Sequence, residues 1–152
     1  MRLKLFVTAV IAAAATALTG CDPKKNDISP ISTFSFKVDT LLFRSNATQA
    51  YFTDTISAHR KTMVIDGVTN NFGHHLELMI TFPDSIHTGQ YTTGVELSLM
   101  KIQQDGIGYI GKTITVKIES INSKQAEGTF SGTLISGDME KPLTDGTFKV
   151  NF

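Results

Sequence analysis

The side chains with the widest chemical repertoire in this sequence are one thiol and four imidazoles. Cys21 is the only cysteine in 152 residues and closes the tetrapeptide Leu18-Thr19-Gly20-Cys21. With no second cysteine there is no intramolecular disulfide, so Cys21 is either a lone thiol or a modified one. The histidines are His59, His74, His75 and His87. Neighbours on a strand point to opposite faces, so His74 and His75 do not readily share one metal. His75 and Glu77 share a face and would need a carboxylate or histidine from an adjacent strand to complete a site. No HExxH spacing or dense acidic loop accompanies them. The expectation is a solvated strand face, with no metal and no cofactor.

Two further motifs invite a chemical reading. Gly106-Ile107-Gly108-Tyr109-Ile110-Gly111-Lys112-Thr113 satisfies the phosphate-binding-loop expression, and its first six residues satisfy the dinucleotide fingerprint. Such a loop works because its amides and the N-terminus of a following helix converge on the anion. Here the residues from Lys112 onward alternate as a strand does. A Gly-rich hairpin turn near Asp105 and Gly106 is expected instead, and nucleotide is excluded as a partner. Gly128-Thr129-Phe130-Ser131-Gly132 sets its serine one position late for a nucleophile elbow and also lies in a strand pattern. Three tyrosines, Tyr51, Tyr91 and Tyr109, are available to line a ligand surface, although tryptophan, the best aromatic platform, is absent.

The elements that position Cys21 are those of an export signal. Arg2 and Lys4 form a positive n-region, and the stretch from Leu5 to Leu18 is an apolar h-region ending in small residues. That stretch is shorter than the roughly 20 apolar residues of a membrane-spanning helix. With Cys21 in place, the segment resembles the lipobox of bacterial lipoproteins; an ordinary secretory signal cut elsewhere is the rival. The resemblance implies a diacylglyceryl thioether on Cys21, removal of residues 1–20 and acylation of the new amino terminus. Membrane lipid held through Cys21 is then the first partner, since each buried methylene contributes about 0.8 kcal/mol and more than one chain anchors almost permanently. Residues 21–30, which include Asp22, Pro23, Lys24, Lys25 and Asn26, are polar and read as a tether. Asp22 resembles the enterobacterial inner-membrane retention signal, a rule that does not carry across phyla. The expected location is the cell envelope, with the outer membrane or cell surface ahead of the inner membrane.

Fourteen basic residues balance fourteen acidic ones, and loss of Arg2 and Lys4 with the leader makes the mature chain slightly acidic. It lacks the basic footprint of a nucleic-acid binder and any polybasic run for anionic lipid. About 120 residues follow the tether, enough for one domain with one core.

From Ile31 to Phe152 the dominant pattern has period two. Phe34, Phe36 and Val38 alternate with Ser35 and Lys37. Leu76, Leu78, Ile80 and Phe82 alternate with His75, Glu77, Met79 and Thr81. Val95, Leu97 and Leu99, then Ile114, Val116 and Ile118, then Phe148, Val150 and Phe152 repeat the arrangement, which marks half-buried strands. Asp66-Gly67, Asp105-Gly106 and Asp145-Gly146 are expected as tight turns, and Asn122-Ser123-Lys124 as a further one. The fold class is all-β, a single antiparallel domain, either a β-sandwich or a flattened calycin-like barrel. Leu76, Leu78, Ile80, Ile114, Val116, Ile118 and Phe148 should be buried together.

Thr88-Gly89-Gln90-Tyr91, Gly128-Thr129-Phe130-Ser131-Gly132 and Thr144-Asp145-Gly146-Thr147-Phe148-Lys149-Val150, together with the lipobox, resemble the layout of small single-domain β-rich lipoproteins of Gram-negative bacteria, from which the lack of tryptophan departs. That family assigns no catalytic residues. The chain therefore reads as a non-enzymatic binding or accessory domain of the envelope, with an envelope protein, a glycan or a small apolar ligand as partner. The alternative is an envelope hydrolase whose site forms only in three dimensions.

Overall fold

Alternation in the sequence becomes pairing in the computed structural model, which describes residues 31–55, 60–103 and 108–152. The leader, Cys21, the tether, His59 and the Asp105-Gly106 turn lie outside the described residues. The strands are β1 (Thr33–Val38), β2 (Leu41–Ser45), β3 (Ala47–Asp54), β4 (Lys61–Val68), β5 (His74–Thr81), β6 (Gly89–Tyr91), β7 (Val95–Lys101), β8 (Tyr109–Ile121), β9 (Gln125–Ser136) and β10 (Met139–Asn151). No helix occurs among the described residues.

All ten strands belong to one antiparallel sheet in the order β2-β1-β10-β9-β8-β7-β5-β4-β3, with β6 also on β8. The two ends of this path, β2 and β3, are consecutive in the chain and separated only by Asn46. A bend at Asn46 therefore brings the edges together, and the sheet curls into a nearly closed barrel. Hydrogen bonds fix the bend. The Asn46 amide donates to Asn70 Oδ1 at 3.0 Å, the Ala47 amide to Ser45 Oγ at 3.0 Å, and the Asn70 amide to the Arg44 carbonyl at 2.7 Å.

The inward parity fills the barrel. Phe36 stacks on Phe43 with centroids 5.1 Å apart and packs against Phe34 and Phe130. Leu76, Leu78, Ile80, Ile114, Val116, Ile118 and Phe148 are buried in the same cluster, as their alternation predicts. A barrel of about eight strands is just wide enough for side chains to fill it, and these aromatic rings do so. Apolar side chains face in and charged ones face out, the reverse of a membrane-spanning barrel.

Two expected turns are corrected. Asp66 and Gly67 lie inside β4, paired with Glu77 and Leu76, and the β4–β5 turn falls later, at Thr69 to Gly73. Glycine at 67 answers to packing: a Cβ there would lie 2.8 Å from the Phe34 ring. Asp145 and Gly146 form a bulge within β10, where the register shifts between Leu143 and Gly146. Asp145 does adopt a positive φ of 52°, and the conformation serves curvature in place of reversal. Asn122 to Lys124 is the β8–β9 turn, as expected, with Asn122 Oδ1 accepting from the amides of Lys124 and Gln125.

Candidate functional site

The barrel distributes the chemistry-bearing residues to separate places. His74 and His75 face opposite sides of β5, as their adjacency requires. His74 lies on the inward side at the start of the strand, edge-on to the Phe43 ring at 5.1 Å. Its Nδ1 is buried without a hydrogen-bond partner. Burial, and secondarily the charge of Lys101, hold its pKa below 6.5. His75 points outward, with Nε2 2.7 Å from Asp66 Oδ1. Tyr91, a candidate ligand platform from sequence, is instead buried, and its hydroxyl donates to the His87 carbonyl at 2.8 Å. Tyr51 is on the outer surface. Tyr109 lies under the Lys141 amine at 5.7 Å, and that amine also pairs with Asp39 at 3.0 Å. The hydrogen bond that Lys141 donates to Asp39, helped by the carboxylate's charge, raises the Lys141 pKa. Ser131 is an exposed residue of β9. Among the described residues no three His, Cys, Asp or Glu side chains converge as metal ligands.

The outer face of β3, β4, β5 and β7 carries two cross-strand rows. One runs Tyr51, Val64, Met79, Glu96; the other runs Gln49, Asp66, Glu77, Ser98 and on to Ile110 of β8. Val64 has outward parity yet is only 3% exposed. Ile110, by contrast, is 60% exposed.

A groove of about 440 Å³ opens where these rows meet β8, lined by Glu77, Met79, Val95, Glu96, Leu97, Ser98, Ile110 and Gly111. Its cause is a change of partner. β7 pairs with β8 only through Ser98 with Ile110 and Leu99 with Tyr109; by Val116 the neighbour of β8 is Tyr91 of β6. Between these points β7 and β8 share no ladder, and the β8–β9 register shifts between Gly111 and Thr113. The lining is therefore largely apolar, with outward Met79 and Ile110 over core-side Val95 and Leu97, and includes two carboxylates. Met79 is opposite Glu96 and Glu77 is opposite Ser98, so the glutamates are diagonal neighbours roughly 7–8 Å apart.

Ion pairs cover much of the outer surface. Lys37 pairs with Asp145, Lys112 with Glu140, Lys117 with Glu119 and Lys149 with Glu127. Two further grooves of about 390 Å³ flank Lys117, one of them lined by Thr115, Thr129, Ser131 and Thr147. On the β4–β5–β7 face Asp66 is met by His75, whereas neither Glu77 nor Glu96 has an ion-pair partner among the described residues. Sequence reasoning found His75 and Glu77 but not Glu96 or Ile110, because strand neighbours are set by topology. Met79, apolar at an outward position, was the one legible signal.

Asp66, His75 and Ser98 share the face and have the composition of a hydrolytic triad. Ser98 makes no hydrogen bond to the imidazole, and it stands mid-ladder between Glu77 and Ile110, so its backbone is committed to pairing and forms no oxyanion hole. No family model, curated protein or solved structure matches the chain.

Proposed function

We propose that this chain is a lipid-anchored, non-catalytic binding domain of a bacterial cell envelope, held to its membrane through Cys21 and engaging its partner on the outside of the barrel. The observation that carries the binding part is the contrast between interior and exterior. Phe34, Phe36, Phe43, Phe130 and Phe148 occupy the space in which a barrel would otherwise hold a ligand, while the outer face presents a groove with apolar walls and carboxylates lacking ion-pair partners. Interior side chains at native packing density leave little room for a guest, so recognition belongs to the surface. The lipobox supplies the anchor, and the largely polar tether of residues 21–30 supplies reach of roughly 15–20 Å.

The test is photocrosslinking in intact cells from single outward positions. Crosslinkers at Ile110 and at Thr147 report the groove face and the hydroxyl-rich face. A discrete adduct from either position is the expected result. Failure of both to yield any adduct, from protein present in the envelope, would overturn the reading.

A further inference from the structure

We infer that the groove between β7 and β8 is a docking site for a partner peptide that inserts an arginine or lysine side chain between Glu77 and Glu96. The inference rests on the reading of the chain as a binding domain and is independent of the anchor at Cys21. Long basic side chains carry an aliphatic stem and a charged head, and the groove offers the matching surfaces in the matching order. Met79 and Ile110 face outward and give the stem apolar contact, with the core-side Val95 and Leu97 beneath them, and Glu77 and Glu96 line the same groove for the head.

Charge complementarity selects the occupant. Lys37, Lys112, Lys117 and Lys149 are each paired with a carboxylate, and of the carboxylates without an ion-pair partner among the described residues, Glu77 and Glu96 are the two that line this groove. Like charges directly opposite across a ladder are destabilising: Glu77 faces Asp66, which His75 meets, and has Glu96 as a diagonal neighbour, so a cation between the two glutamates adds the counter-charge this cluster lacks. A guanidinium suits the position better than an ammonium, because its planar fork presents donors to two carboxylates at once. The row continues from Met79 past the buried Val64 to Tyr51, whose ring is exposed, so a peptide also finds an aromatic contact beyond the groove, which a small polyamine would not use.

The experiment measures fluorescence anisotropy of labelled Arg-Val-Arg-Val-Arg and Gln-Val-Gln-Val-Gln peptides with the full chain in nonionic detergent. It is paired with methyl NMR of Met79 and Met139. The arginine peptide should bind, shift the Met79 methyl and leave Met139 unmoved, and the Glu77→Gln/Glu96→Gln protein should lose at least about tenfold in affinity. Glu96 is exposed and Glu77 is half-buried, and an unchanged melting temperature shows that the variant is folded. Equal binding of the glutamine peptide, indifference to the double substitution, a shift at Met139 in place of Met79, spermidine binding as tightly as the peptide, or no binding at all would each overturn the assignment. Envelope adducts that persist in the double variant would remove this inference and leave the binding-domain reading standing.

Discussion

Lys112 on β8 reaches past β9 to form an ion pair with Glu140 on β10. The lysine of the Gly-Lys-Thr run is thus neutralised by a carboxylate on a flat outer face. In a phosphate-binding loop that amine would sit at the mouth of a helix, beside amides aimed at an anion. Here the residues from Tyr109 onward are strand, and Thr113 pairs with Thr133 of β9. The resemblance is one of letters, and among the described residues of this stretch no helix follows the lysine.

Lys112→Ala should therefore leave the protein folded, with a stability change within about 1 kcal/mol, the usual range for a solvent-exposed pair. ATP should give no thermal stabilisation of either protein. An ATP-dependent rise in melting temperature that disappears in the variant would show a nucleotide site.

Side-chain parity was legible because a half-buried strand needs one apolar face. Phe34, Phe36 and Val38, and likewise Leu76, Leu78 and Ile80, could not alternate as they do without a common core. Turn chemistry was less transparent. Asp-Gly supplies positive φ, but a strand that must coil needs that conformation as much as a hairpin does, so Asp145-Gly146 became a bulge in β10. Gly67 was written by the Phe34 ring, a contact between residues far apart in sequence. The groove was hidden for the same reason: Glu96 and Ile110 meet only because β8 changes partner from β7 to β6.

Gly132 stands where the long strands β8, β9 and β10 coil, opposite Ile114 and Leu143. Its φ is +156°, and a Cβ would lie 1.8 Å from the Thr113 carbonyl oxygen. Backbone must move to admit a methyl group, so Gly132→Ala should cost about 1–3 kcal/mol or more from strain. Gly137 has a φ of +58° with no atom within 4 Å of a Cβ; alanine there meets only the left-handed penalty of about 1–2 kcal/mol. Denaturant unfolding of the two variants should rank Gly132→Ala as the more damaged, and the opposite order would contradict the role given to this bend.

His74 gives the barrel a pH dependence of defined sign. Its folded pKa lies below the unfolded value of 6.5, chiefly through desolvation and further through Lys101. Below 6.5 the unfolded chain therefore binds a proton that the folded one resists. The associated stability is present above that pH and declines as pH falls through 6.5 toward the folded pKa. His74→Leu removes this proton and the buried, unpartnered Nδ1 together. Chemical denaturation of the two proteins at pH 7.5 and pH 5 should show a smaller loss of stability on acidification in the variant. Identical losses would mean that His74 is as readily protonated folded as unfolded.

Anchor and fold should be separable at Cys21. The lipobox reading makes thioether formation the step that precedes cleavage of the leader, so Cys21→Ala should block both and the precursor should accumulate at its uncleaved size. The barrel should be indifferent. Its strands begin at Thr33, the chain has no second cysteine to pair with Cys21, and the polar tether has little apolar surface to contribute to a core. A chain begun at Asp22 should accordingly fold with the same cooperative transition as the full protein. Metabolic labelling with a radiolabelled fatty acid, followed by detergent phase partitioning, checks the anchor: wild type should carry label and enter the detergent phase, and Cys21→Ala should carry none. An unlabelled wild-type protein recovered in the aqueous phase would remove the anchor and the envelope location while leaving the groove and its glutamates to be tested on their own terms.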